Sequence, residues 1–138
     1  MAYSIGNILA LALTLGVTGT LGAADVYKME NQSYPVGQKT LTGLESGTIN
    51  QGLVVKVLKN GQPAANELIG LHPRSAAGKN AEVTPTEGRT DKDGIIKATL
   101  KIGDAPGEYL VEAFHNGKLE PAPVQIRTKA MRGGWIFF

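Results

Sequence analysis

The feature that most constrains this fold is a series of short β-type segments separated by turns, with no helical period after Ala24. In the clearest segment, 95–102, apolar residues recur with the two-residue period of a half-buried strand. The alternating apolar positions are Ile96, Ala98, Leu100 and Ile102. Strands of this kind with turns every 8–12 residues or so predict an all-β, Ig-like antiparallel β-sandwich. Because there are no crossover helices, we expect no parallel sheet.

Turn-forming residues separate the predicted strands. Asn-Gly dipeptides, typical of two-residue β-hairpins, occur at 60–61 and 116–117. Asp91 and Gly94 predict another turn, because aspartate accepts hydrogen bonds from the backbone that follows it and glycine tolerates a positive φ. The predicted strands are 53–59, 67–71, 81–84, 95–102, 108–114 and 124–128.

Composition excludes several classes of protein. The 138 residues include no cysteine, which excludes disulfides, thiolate metal sites and thiol catalysis. The domain must therefore be held together by its core alone. A formal net charge of +2, without aromatic residues interleaved in a basic stripe, argues against nucleic-acid binding.

The N-terminal segment is apolar. Residues 5–24 contain no charged side chain, and twenty helical residues span about 30 Å, the thickness of a bilayer core. We expect 1–24 to be a hydrophobic helix that serves as a signal peptide or a transmembrane anchor. The small residues at 22–24 favour cleavage, but the segment lacks the basic residues that begin a signal peptide, the first being Lys28. The segment is long enough for an anchor, but its glycines and threonines make it a weak one. A buried core helix is the third alternative. Either alternative predicts a periplasmic or extracellular domain, associated with the membrane or cell surface.

The remaining chain divides into three parts. Residues 25–52 read as a linker with a possible edge strand at 39–44, residues 53–128 as the sandwich, and 129–138 as a basic-aromatic tail. Basic residues followed by tryptophan and an apolar run are typical of a membrane interface. The membrane-contact candidates are Arg132, Trp135, Ile136, Phe137 and Phe138. The alternatives are packing of the tail on its own domain or a neighbour, and the start of a second membrane helix.

Three stretches resemble a known family. The sequence at 55–65 is a strand followed by Asn-Gly-Gln-Pro, 90–100 reads Thr-Asp-Lys-Asp-Gly-Ile-Ile-Lys-Ala-Thr-Leu, and 106–113 reads Pro-Gly-Glu-Tyr-Leu-Val-Glu-Ala. This order is similar to that of bacterial Ig-like domains of the invasin and intimin type. The resemblance implies an adhesin stalk, spacer or ectodomain module without catalytic residues. In layout alone, the chain is also similar to the N-terminal ectodomain of sodium/phosphate cotransporter-like proteins.

No residue pattern predicts catalysis or cofactor binding. His72 and His115 lack sequence neighbours that would make them metal ligands or catalytic bases. Asp91 and Asp93 lack the further oxygen ligands of a calcium loop. Tyr109, two residues after a glycine, is either a tyrosine corner or a plain core aromatic.

We therefore expect a non-catalytic, exported or membrane-tethered Ig-like module with a structural or interaction role, such as that of a subunit of a surface assembly or adhesin. The expected partners are the membrane, through the N-terminal segment, and a protein partner or further copies of the chain. We expect no cofactor, nucleic acid or small-molecule substrate. The alternative is an accessory ectodomain of a membrane transport system of the phosphate cotransporter type.

Overall fold

A computed structural model describes residues 24–74, 81–118 and 120–132. The N-terminal helix expected within 1–24 and the tail candidates Trp135, Ile136, Phe137 and Phe138 lie outside these ranges. All regular structure in the described residues is β-strand. The strands are β1 (Tyr27–Asn31), β2 (Leu41–Leu44), β3 (Thr48–Lys59), β4 (Gln62–Pro63), β5 (Leu68–Pro73), β6 (Glu82–Thr84), β7 (Glu87–Arg89), β8 (Ile95–Lys101), β9 (Gly107–His115) and β10 (Val124–Met131).

The strands form two sheets. Sheet A has the order β1-β3-β8-β6, with β4 paired to the end of β3, and sheet B has the order β2-β10-β9-β5-β7. The long neighbours in each sheet are antiparallel, so the predicted all-β sandwich is confirmed. At both edges of the sandwich the edge strands of the two sheets are consecutive in the chain: β1 and β2 at one edge, and β6 and β7 at the other.

The core lies between the inner faces of the sheets. The predicted face of β8 is confirmed, since Leu100 is fully buried and its alternating neighbours are almost fully buried. Sheet A also contributes Leu53, Val55 and Val57 of β3. The opposing residues of sheet B are Ile69, Leu71, Tyr109, Val111, Ala113 and Ile126. Burial of apolar side chains from both sheets is the main favourable free energy of the fold, in a chain without cysteine.

The range 25–52, predicted as a linker, belongs to the sandwich. It contains β1, β2 and the first residues of β3, and it buries Met29 and Leu41 in the core. The edge strand expected at 39–44 is β2. Strand β1 was not predicted from the sequence. The chain leaves sheet A after five residues and crosses to sheet B, so the two-residue alternation of a strand is too short to be recognised.

The sandwich, expected to be antiparallel, contains one parallel pair of strands among the described residues. Strand β2 pairs in parallel with the last strand, β10, with Leu41 opposite Thr128 and Leu44 opposite Met131. The pairing needs no crossover helix, because the paired residues lie 87 positions apart along the chain, with the rest of the sandwich between them. The crossing from sheet A brings β2 to the free edge of β10 while the chain continues in the same direction.

The predicted turns take the expected conformations. Both residues of each Asn-Gly dipeptide have positive φ: 52° and 82° at 60–61, and 54° and 69° at 116–117. These values are those of the hairpin turn whose twist matches that of the strands. Gly94 has a φ of 76°, and a Cβ there would lie 2.6 Å from the carbonyl oxygen of Val57, so glycine is required by both conformation and space.

We predict that residues 24–132 fold cooperatively, whereas a fragment beginning at Leu53 does not. The shorter fragment lacks β1 and β2, which leaves the edges of β3 and β10 unpaired and removes Met29 and Leu41 from the core. Urea unfolding followed by circular dichroism compares the two fragments directly. Equal midpoints for both fragments would contradict the assignment of 27–52 to the folding unit.

Candidate functional site: the two ends of the sandwich

The chain enters and leaves the sandwich at opposite ends. Strand β1 starts with Tyr27 opposite Lys59, and the ring of Tyr27 contacts that of His115, at what we call the proximal end. Strand β10 runs away from this end and finishes at Met131, whose carbonyl accepts a hydrogen bond from Glu45 N at 2.8 Å, at what we call the distal end. Chain segments before Tyr27 and after Met131 therefore emerge on opposite sides of the domain.

The incoming chain is fastened to the turn at 60–61. Asn60 Oδ1 accepts a hydrogen bond from Val26 N at 2.9 Å, and Asn60 N donates one to Val26 O at 2.7 Å. Asn60 Nδ2 also donates to Asp25 Oδ1 at 3.1 Å, and Lys59 Nζ lies 3.4 Å from Asp25 Oδ2. The hydrogen bond from Asn60 and the charge of Lys59 lower the pKa of Asp25. A residue predicted only as a turn former thus also holds the N-terminal chain.

A second contact at the proximal end involves His115. Its Nε2 lies 2.8 Å from Glu67 Oε1, and its side chain is only 6% exposed. The ring of Tyr27 packs against the imidazole, with ring centroids 4.5 Å apart, and Lys59 Nζ lies 6.0 Å from the centroid of Tyr27. The pair joins β9 to the residue before β5 and supports the start of β1. Sequence reasoning missed it because 48 residues separate the partners.

The crossing between the two sheets is fixed by side chains. Ser33 Oγ accepts a hydrogen bond from Val54 N at 2.8 Å and donates to Val54 O at 3.1 Å, which holds the segment on β3. On the other side, Asn31 Nδ2 donates to Gln125 O at 3.2 Å, and Tyr34 Oη accepts from Arg127 N at 2.7 Å. These bonds satisfy backbone groups of β10 just before its pairing with β2 begins.

The distal end consists of turns and the outgoing chain. Tyr109 is fully buried, and its hydroxyl donates to Ala105 O at 2.6 Å, which confirms the tyrosine corner. Ser46 N donates to Gly103 O at 2.7 Å, and Leu44 is 45% exposed. Arg132, one of the membrane-contact candidates, is exposed at this end. The other four candidates lie outside the described residues.

The remaining candidates do not converge on one site. His72 is exposed on the outer face of sheet B, where it packs against Phe114 beside an open groove of about 450 Å³. His115 is buried. Within 24–74, 81–118 and 120–132, no three histidine, aspartate or glutamate side chains lie close enough to hold a metal ion. No helix in this part of the chain is long and apolar enough to cross a membrane.

Asp91 acts as the predicted turn former. Its Oδ1 accepts hydrogen bonds from Asp93 N at 2.8 Å and from Ile95 N at 3.0 Å, immediately before β8. These two backbone bonds lower the pKa of Asp91. The carboxylate therefore stabilises the turn that presents Gly94 to β3, and the geometry supports a structural role for the acidic sequence at 91–93.

Comparisons with solved structures identify the fold. The chain is similar to the D00-D0 domain of intimin, with a TM-score of 0.56 and 18% identity over 91% of this chain and 57% of that one. It is also similar to domains 1–6 of the surface layer protein SbsC (TM-score 0.55, 9% identity, 80% and 14% coverage). A third match is Yersinia pseudotuberculosis adhesin InvE (TM-score 0.51, 7% identity, 77% and 32% coverage).

These matches show that the chain shares its fold with β-sandwich domains of intimin and InvE, as the sequence resemblance implies. The chain spans about half the length of the intimin fragments that it matches, 46% of the D0-D1 fragment and 57% of the D00-D0 fragment. No protein-family model and no curated protein sequence matches it. The similarity is therefore one of fold.

We predict that Glu67→Ala lowers the free energy of unfolding by about 1–3 kcal/mol, because the buried ring of His115 loses its hydrogen-bond partner. Glu67→Gln, which can still bond the ring, should cost less. The matched control is Glu87→Ala, at an exposed position of β7, with an expected change within about 0.5 kcal/mol. Urea unfolding measures all three, and equal losses for Glu67→Ala and Glu87→Ala would refute the role of the pair.

We predict that Asp91 makes the fold sensitive to acid. Its pKa is lower in the folded protein than its ordinary value of 3.8, so its stabilisation is present above that value and is lost as the pH falls through the folded-state pKa. Asp91→Asn should therefore flatten the decline of stability below about pH 4. Asp93→Asn, which removes the same charge two residues away, is the control. Unfolding titrations with parallel declines for wild type and Asp91→Asn would contradict the assignment.

Proposed function

We propose that this protein is a non-catalytic, exported Ig-like module that is tethered at its proximal end and presents its distal end to a protein partner or to further copies of the chain. Its place is the cell surface or periplasm, as a subunit of an adhesin or other surface assembly. The observation that carries the proposal is the separation of the incoming and outgoing chain at opposite ends of the sandwich.

This separation suits a module that links two objects in series. The incoming chain has only Asp25 and Val26 between the apolar segment, which ends at Ala24, and β1. Such a short connection, fixed by Asn60 and Lys59, would hold the domain close to a membrane if the apolar segment is retained. The outgoing chain then leaves on the side away from that membrane.

The fold neighbours support this type of role. Intimin and InvE share the sandwich, and InvE is an adhesin, while SbsC is a surface layer protein. Domains of this fold thus serve in proteins of the bacterial surface. The alternative role in a transport system depends on the layout of predicted segments, and no contact of the sandwich favours it.

Membrane contact by Arg132 and the apolar residues 135–138 stays a prediction. Because Arg132 lies at the distal end, the tail can reach the membrane that holds the proximal end only if the sandwich lies along its surface. A tethered module standing away from that membrane leaves the tail free for a neighbouring subunit. We favour the neighbouring subunit, since the two chain ends do not converge.

The test uses single cysteines, which are unique because the chain has none of its own. Lys118→Cys at the proximal end and Arg132→Cys at the distal end are labelled in intact producing cells with a membrane-impermeant maleimide. Both cysteines should react in intact cells if the module is on the cell surface. If the module is periplasmic, both should react once the outer membrane is permeabilised, before the cells are lysed. N-terminal sequencing of the labelled protein then distinguishes a cleaved signal from a retained anchor.

Deletion of residues 1–24 is the matched control, and it should abolish labelling in intact and permeabilised cells. Labelling of the full chain only after complete lysis would place the domain in the cytoplasm and contradict the proposal.

A further inference from the structure

The chain contains the same turn dipeptide twice, in two different surroundings. Asn60-Gly61 joins β3 to β4, and Asn116-Gly117 follows β9. The backbones of the two turns are alike, with φ values of 52° and 82° in the first and 54° and 69° in the second. The space beside both glycines is open, since a Cβ on either would meet no atom beyond its chain neighbours within 4 Å. The two dipeptides therefore differ mainly in what surrounds the asparagine side chain.

The side chain of Asn60 is held by the incoming chain through two hydrogen bonds, which we call the clasp. Its Oδ1 accepts from Val26 N at 2.9 Å, and its Nδ2 donates to Asp25 Oδ1 at 3.1 Å. The ion pair between Asp25 and Lys59, at 3.4 Å, helps to keep this acceptor in place. Both polar atoms of the Asn60 amide are thus bonded, and the amide is directed toward residues 25 and 26.

The side chain of Asn116 is not held in this way. The backbone N–H of Asn116 donates to Leu68 O at 2.8 Å, and Lys118 N donates to His115 O at 2.9 Å, so the turn itself is formed. The residue is exposed, and its side-chain amide makes no hydrogen bond within the part of the chain that the structure describes. The amide can therefore rotate without breaking a hydrogen bond of the folded domain.

We propose that Asn116 is a site of spontaneous deamidation in the folded protein, and that the clasp protects Asn60 from the same reaction. The backbone nitrogen of Gly117 bonds to Cγ of Asn116, while the Cγ–Nδ2 bond breaks and ammonia leaves with the proton of that nitrogen. Water then opens the cyclic imide at one of its two C–N bonds. Opening at Cγ gives aspartate, and opening at the backbone carbonyl carbon gives isoaspartate. Glycine favours the attack because it has no side chain to obstruct its nitrogen.

The clasp protects Asn60 because ring closure depends on the position of the side chain. An intramolecular reaction needs its atoms about 3–3.5 Å apart and aligned, and a misplacement of about 1 Å can slow it about 10²-fold. To bring its Cγ onto the nitrogen of Gly61, Asn60 must leave the position that the clasp fixes, which breaks both hydrogen bonds. The same movement in Asn116 breaks none. We therefore expect Asn116 to react at least about tenfold faster than Asn60.

Deamidation has different consequences at the two positions. An aspartate at position 60 cannot donate to Asp25, and its carboxylate would repel that of Asp25, so the incoming chain would lose its attachment to the turn. At position 116 the new carboxylate is exposed and breaks no side-chain hydrogen bond of the described residues. The protein can therefore age at Asn116 while the incoming chain stays attached. This inference goes beyond the proposed function and does not depend on export or tethering.

The two sites are compared in one sample of the purified full chain, incubated at mildly alkaline pH. Mass spectrometry of peptides containing positions 60 and 116 follows the conversion of each amide, and methylation by protein isoaspartate methyltransferase detects isoaspartate. In the folded chain, Asn116 should convert at least about tenfold faster than Asn60. In concentrated urea the clasp is absent, so the two rates should approach each other. Equal rates in the folded chain, or the same ratio of rates with and without urea, would overturn the proposal.

Two variants test the clasp by itself. Asp25→Ala removes the acceptor of Asn60 Nδ2 and the ion-pair partner of Lys59, so the rate at Asn60 should rise several-fold while the rate at Asn116 stays the same. Asp93→Ala, which removes an exposed carboxylate outside both hairpins, is the matched control and should change neither rate. An unchanged rate at Asn60 in Asp25→Ala would contradict protection by the clasp.

Discussion

The sandwich depends on one continuous segment, 27–44, that pairs first with β3 in sheet A and then with β10 in sheet B. Two sheets that touch only through apolar side chains can slide on each other, because hydrophobic burial is not directional. Hydrogen bonds of this segment to backbone groups of both sheets fix their relative position. The segment 27–44 therefore joins the two sheets at the edge where β1 and β2 lie, and the β6–β7 segment joins them at the opposite edge. Because the chain contains no cysteine, these connections are not reinforced by disulfides.

The same segment explains why the two ends of the domain differ. Asn60 and Lys59 hold the incoming chain, while the buried pair of Glu67 and His115 supports the start of β1. At the distal end, the outgoing strand is held by the hydrogen bond from Glu45 N to the carbonyl of Met131, while the side chains of Leu44 and Arg132 are exposed. A domain held firmly at the proximal end and open at the other fits a module that is attached on one side and contacts partners on the other.

The sequence was most informative where strands alternate and turns have strict backbone requirements. The buried face of β8, both Asn-Gly hairpins and the Asp91 turn could be predicted, because local chemistry decides them. The tyrosine corner was one of two alternatives for Tyr109, and the hydrogen bond to Ala105 decides between them. The role of 25–52 could not, since its strands change sheets before a period is established. The Glu67–His115 pair and the parallel β2–β10 ladder depend on residues 48 or more positions apart, which no local pattern reveals.

The central claim is that the chain enters and leaves at opposite ends because 27–44 is part of the sandwich. The most direct measurement is the distance between spin labels on Ala24→Cys and Arg132→Cys, obtained by pulsed electron paramagnetic resonance. We estimate the expected distance between the labels from the length of β10 and the short distance from its first residue to the level of Tyr27. Together they correspond to about nine residues of extended strand, or roughly 30 Å. A narrow distribution near that distance is the predicted result. A broad distribution, or one centred below about half of that length, would show that 27–44 is not fixed to both sheets and would contradict the account.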